Sequence, residues 1–152
     1  MTERSPTLKI VGVVDVECGR DVTILMPSNV YGCTLGDEVF VGPFVEIQRG
    51  AIIGDRTRVQ SHSFICELVT IGADCFIGHG VKFVNDLLRG GPARGDKSRW
   101  RSTEISDRVN IGSNSTILPV RICSDVVIGA GSVVTADIGA PGTYAGNPAR
   151  RI

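Results

Sequence analysis

From Leu35 to Phe83 an apolar residue returns at every sixth position: Leu35, Val41, Ile47, Ile53, Val59, Ile65, Ile71, Ile77 and Phe83. The next residue is usually small, as at Gly36, Gly42, Gly54, Cys66, Gly72 and Gly78. Two positions earlier stands a small or apolar residue, among them Val39, Ala51, Ser63, Val69 and Val81. A period of six fits neither an amphipathic helix nor a meander of ordinary strands. It predicts a hexapeptide β-helix, with three short strands and three tight turns in each triangular coil. Side chains alternate along a strand, so both apolar positions of a hexad point into the prism. The small residue that follows serves the turn.

The repeat extends in both directions. Upstream, Cys18, Ile24 and Val30 hold the apolar position; downstream it resumes at Ile105, Ile111, Ile117, Ile122, Ile128 and Val134. Eighteen such positions make six coils in an all-β parallel prism, one domain over residues 1–152. Residues 1–15 are expected to lead in, and 136–152, rich in Gly and Pro, to close the last coil.

The period breaks once, at residues 84–102. A solenoid keeps its strands stacked, so this segment is expected to leave at a corner as a loop. Loops this long in a compact domain are usually functional. Charge makes the break more informative. Lys+Arg and Asp+Glu are both 16 over the chain, so no global field favours nucleic acid or an anionic membrane. The loop nevertheless concentrates Arg89, Arg94, Lys97, Arg99 and Arg101 against only Asp86 and Asp96. Such a cluster suits a phosphate or a sugar-nucleotide diphosphate; the plainer reading is a solvated loop that pairs with a neighbouring subunit. Trp100 is expected to anchor the loop.

Register also tells which residues share a corner. Residues eighteen apart lie one strand spacing, about 4.8 Å, above one another. Arg49, Glu67 and Asn85 therefore form a column, and Asn85 opens the loop. A carboxylate beside a carboxamide can orient an amine or a hydroxyl. His62 and His79 fall on adjacent coils of another corner, where either could act as a general base or simply be a polar turn residue. Two His are too few for a three-imidazole zinc site, so no metal is expected. The five Cys lack C-x-x-C spacing and fit the repeat: Cys33 and Cys75 two before an apolar position, Cys18 at one, Cys66 and Cys123 in the small slot. Residues 1–6 are polar, no segment resembles a signal peptide or membrane span, and a cytoplasmic protein is expected.

The hexads, Ile128-Gly-Ala-Gly-Ser-Val-Val134 and Tyr144-Ala-Gly-Asn-Pro-Ala-Arg150 resemble the left-handed β-helix acyltransferase superfamily over nearly the whole chain. More narrowly, residues 60–72, Gly78-His-Gly-Val-Lys-Phe-Val-Asn-Asp86 and Gly91-Pro-Ala-Arg-Gly-Asp96 resemble N-acetyltransferases of nucleotide-linked 3-amino sugars. The resemblance implies a left-handed coil, a homotrimer, and acetyl-CoA lying between neighbouring prisms. It implies that Glu67 and Asn85 lie at the acceptor amine, the two residues that register had already put in one column. It also implies CoA contacts at Gly112, Ala130 and Gly131, where small side chains admit the pantetheine arm, and at Asn147, Pro148 and Arg150. Arg49, His62, His79, Asp86, Arg94 and Lys97 are expected to meet the acceptor.

Transfer of an acetyl group from acetyl-CoA to a nucleotide-linked (dTDP or UDP) amino sugar, for surface-glycan synthesis, is the expected activity. Some relatives of this superfamily place a catalytic His in the inserted loop; this loop has none. Two alternatives stand beside it: O-acetylation of a sugar or xenobiotic hydroxyl, for which His62 or His79 would be the base, and a non-catalytic structural subunit.

Overall fold

The computed structural model describes residues 11–89 and 96–152. It shows the parallel β-helix that the period predicts, with the left hand that the resemblance implies. The first sheet stacks Val13–Val14, Asn29–Tyr31, Glu46–Ile47, Phe64–Ile65, Lys82–Phe83, Thr116–Ile117 and Val133–Val134. The second stacks Glu17–Cys18, Thr34–Leu35, Ile52–Ile53, Val69–Ile71, Thr103–Ile105 and Arg121–Ile122. The third runs from Thr23–Ile24 through Phe40–Val41, Arg58–Val59, Phe76–Ile77, Asn110–Ile111 and Val126–Ile128 to Gly142–Gly146, with Ala149–Arg151 antiparallel at its edge. Along the central coils the register is eighteen, as Phe64 paired with Glu46 and with Lys82 shows.

The prism is longer than six coils at both ends. Val13–Val14 already pairs with Val30–Tyr31, inside the expected lead-in. Past Val134, Ile138 bridges Ile122, and Gly142–Gly146 pairs with Val126–Ile128, so the tail adds strands instead of only closing a coil. Cys18 is a second correction: it holds an apolar position but is exposed, because it belongs to the terminal coil.

The interior is what the pattern requires. Ile47, Ile65, Ile77, Ile111 and Ile117 are fully buried, with Val39, Ala51 and Val81 from the position two before. Ser and Thr in those slots bond the turns that they face: Thr57 Oγ1 donates to Gly72 O at 2.8 Å and Ser63 Oγ to Gly78 O at 2.9 Å. Burial pushes the thiols of Cys33 and Cys66 up to about 11, which marks them as inert filling.

The corner between the second and third sheets is a ladder of ion pairs. Arg56 meets Asp74 and Arg108 meets Asp125 through two nitrogens and two oxygens from one coil to the next, whereas both Arg20 guanidinium nitrogens donate to one Asp37 oxygen and the Arg20 backbone N–H donates to the other. The bonds from the Arg56 and Arg108 guanidiniums hold Asp74 and Asp125 below the ordinary range, and the Arg20 backbone N–H, followed by its guanidinium, does the same for Asp37.

Candidate functional site

The corner between the first and second sheets is built differently. Glu67 and Asn85 follow strands Phe64–Ile65 and Lys82–Phe83, and register stacks them as expected. Asn85 Nδ2 donates to Glu67 O at 3.2 Å, and its own carbonyl accepts Arg101 N–H at 2.9 Å, tying the end of the loop to its start. Polar contacts continue down the corner. Glu67 N–H donates to Gln48 Oε1 at 3.3 Å, Gln48 Nε2 to Glu46 Oε1 at 3.0 Å, and Tyr31 O–H to the same Glu46 oxygen at 3.5 Å. Burial first, then the Glu46 charge, raises the Tyr31 phenol. Gln48 and Tyr31 have no place in the expected site; both sit one turn position away from the column, where the same register arithmetic reaches them.

Arg49 does not join its column-mates. Its side chain folds down over Gly32, within 3.0 Å of where a Cβ would stand there. Lys97 instead brings the positive charge. Its ammonium lies 2.8 and 2.7 Å from the two Glu67 oxygens and 5.2 Å from the Trp100 ring centroid. A short 3-10 turn, Lys97–Arg99, positions it, started by the Asp96 carboxylate on Ser98 N–H at 3.0 Å. Asp86 turns the chain by accepting Leu88 N–H at 2.8 Å. Beyond the turn, Asp86, Leu87, Arg89, Ser98, Arg99, Trp100 and Arg101 line a cavity of about 470 Å³. Three guanidiniums and an indole around one hollow suit an anion joined to a flat ring. Trp100 therefore lines a cavity besides helping to hold the loop. Arg94 lies outside the described residues.

The two His share the corner between the third and first sheets. His79 Nδ1 is 2.9 Å from Ser61 Oγ, directly below it. His62 stacks on Phe44 with ring centroids 4.9 Å apart, and its carbonyl accepts from the Lys82 ammonium. Neither touches Glu67 or Asn85. Gly112, Ala130 and Gly131 lie on this same corner, higher up, which the period shows although the expected site treats the two groups apart. Gly112 is small for a stacking reason: a Cβ would stand within 2.8 Å of the Ala130 Cα in the next coil. Gly131 turns with φ +69° into open space. Asn147 and Pro148 cross from Gly142–Gly146 to Ala149–Arg151 on top of this corner, exposed, and Arg150 donates to Ala149 O at 2.9 Å. Among the described residues no group of His, Cys, Asp and Glu could hold a metal ion, and no helix is long and apolar enough to cross a membrane.

The geometry can be set beside known proteins. Residues 32–67 match the bacterial transferase hexapeptide (six repeats), and residues 103–136 the hexapeptide repeat of succinyl-transferase. Bifunctional protein GlmU of Thermotoga petrophila is 32% identical over 144 residues, covering 83% of this chain. The chain spans about 30% of the length of that relative. A hexapeptide-repeat-containing acetyltransferase from Vibrio cholerae O1 biovar eltor, solved with acetyl coenzyme A, is 25% identical with a TM-score of 0.64, over 80% of this chain and 69% of that one. A mutant perosamine N-acetyltransferase from Caulobacter crescentus, solved with CoA and GDP-perosamine, shares the fold with a TM-score of 0.73 at 24% identity, over 86% of this chain and 56% of that one.

Proposed function

The chain belongs to the hexapeptide-repeat transferases, and from that premise we propose that it moves an acetyl group from acetyl-CoA to the amine of a nucleotide-linked 3-amino sugar. The observation that carries the reading is the loop root. Glu67 and Asn85 stand one coil apart, and Glu67 holds a primary ammonium through both oxygens. A site that seats one alkylammonium has the charge and shape to seat another. Beside it, the cavity of Arg89, Arg99, Arg101 and Trp100 offers a place for a diphosphate and a base. A protein of this fold has been solved with CoA and a nucleotide-linked amino sugar, and another with acetyl-CoA, so the fold can carry such substrates.

In this reading the acceptor's ammonium gives one proton to Glu67 or to water. The neutral amine attacks the thioester carbonyl; a C–N bond forms and the C–S bond breaks. The second nitrogen proton leaves with the CoA sulfur as a thiol. Asn85 orients the acceptor through its carboxamide, so positioning supplies most of the rate. CoA lies along the corner of Gly112, Ala130 and Gly131, with Asn147, Pro148 and Arg150 at its top. Two prisms of a homotrimer in the cytoplasm complete that groove.

The test has two readouts. Free chain is screened by thermal shift against dTDP-, UDP- and GDP-linked amino sugars and their hydroxyl counterparts, with and without CoA, since ligands of the folded state raise its melting temperature. Those that bind are then assayed for thiol release from acetyl-CoA. Thiol release with an amino sugar and not its hydroxyl counterpart is expected; release with hydroxyls alone would replace the reading with O-acetylation.

A further inference from the structure

Lys97 completes a cation site that the prism itself leaves half built. The Glu67 side chain is 22% exposed, so its carboxylate needs a partner, whereas the Lys97 side chain is 61% exposed. Both Glu67 oxygens are taken by the one ammonium, and the Trp100 face closes over it. The loop delivers that ammonium on a single short turn, closed by Trp100 N–H on Lys97 O at 3.1 Å. An ion pair with one partner this exposed is weakly held, because water and side-chain freedom compete with it.

The geometry points to Lys97 as an internal plug: the chain's own primary ammonium fills the subsite of the substrate amine, and the two exchange places. The inference rests on the amine-acceptor reading for the identity of the incoming group, and on no contact with CoA. Exchange of one ammonium for another keeps the Glu67 carboxylate paired throughout. A hydroxyl entering the same place would expel the cation and leave a largely enclosed carboxylate without a counter-charge, which is costly. The subsite therefore selects an amine over a hydroxyl. Acetylation turns the bound nitrogen into a neutral amide that has nothing to offer Glu67. Lys97 then returns and expels the product.

Trp100 is the only Trp in the chain, so its emission reports on the cation over its ring. The full chain is titrated with methylammonium chloride at constant ionic strength, with sodium chloride as control. Wild-type emission is expected to move saturably with methylammonium alone, toward the value that Lys97→Met shows without any amine. Glu67→Gln is expected to start near that value and not respond. With an acceptor found in the thermal-shift screen, Lys97→Met should lower its KM by about two- to fivefold, the hold an exposed ion pair can exert. Identical emission from wild type and Lys97→Met overturns the plug, as does an equal response to both salts. So does a raised acceptor KM in Lys97→Met, which would make Lys97 a substrate contact, as its place in the basic loop suggests. Emission exchange without transfer to any amine removes the functional reading and leaves the plug standing.

Discussion

Two corners of the prism face the same problem and solve it in opposite ways. Between the second and third sheets, each Arg finds its Asp seventeen or eighteen residues away, one coil on, and the pairs Arg20–Asp37, Arg56–Asp74 and Arg108–Asp125 each join through two guanidinium nitrogens. Between the first and second sheets, Glu67 finds its cation thirty residues away, on an inserted loop, while Arg49 of the same column turns aside. A solenoid corner whose charges close on the adjacent coil has nothing left for a ligand. A corner that must borrow its counter-charge from a loop can also lend that place out.

The contrast lies outside the prism, and its sharpest test is to show that the inside is the same. Ile65 enters the loop corner and Ile71 the ladder corner, and both are buried to within 1%. Ile65→Ala and Ile71→Ala should each cost about 2–5 kcal/mol of stability in denaturant unfolding. A much smaller cost for Ile65→Ala would mean that the loop corner is loosely packed, and that the difference reaches the core.

A smaller effect separates the outer surfaces. Arg56→Ala should lower the melting temperature slightly at neutral pH and leave turnover alone, because that charge serves only its neighbour. Asp74 has its folded value lowered, chiefly by the hydrogen bond from Arg56, so the pair's stabilisation is present above the ordinary carboxylate value of about 3.9. It is lost as pH falls through the lowered folded value. The melting temperatures of wild type and Arg56→Ala should therefore converge in strongly acidic buffer. A gap that persists there would assign the effect to packing of the Arg stem instead.

The same arithmetic that made the fold legible made half of each corner legible. A strict hexad fixes which side chains face inward, and a register of eighteen stacks Glu67 under Asn85 before any coordinates are known. Applied to the next corner it would also pair Arg56 with Asp74. It fails where the period fails. The strands Val13–Val14 and Gly142–Gly146 carry too few apolar repeats to announce themselves. The Lys97–Glu67 pair depends on how a non-repeating loop folds back, and no spacing encodes that. Arg49 shows the opposite limit: it holds the right register, but a long flexible side chain is free to lie over the bare backbone of Gly32.

One comparison of rates decides whether chemistry belongs to the loop corner, as proposed, or to the His corner. Acetyl transfer to the amine acceptor is measured for Asn85→Ala, Glu67→Gln, His62→Asn and His79→Asn, with melting temperature followed for each. The first two should lose about 10²-fold in turnover, the scale of a positioned acid–base or orienting group, with little change in melting temperature. Each His variant should lose less than Asn85→Ala. An inactive His79→Asn beside a near-normal Asn85→Ala would contradict the account, placing the base next to Ser61 and returning the reaction to a hydroxyl acceptor.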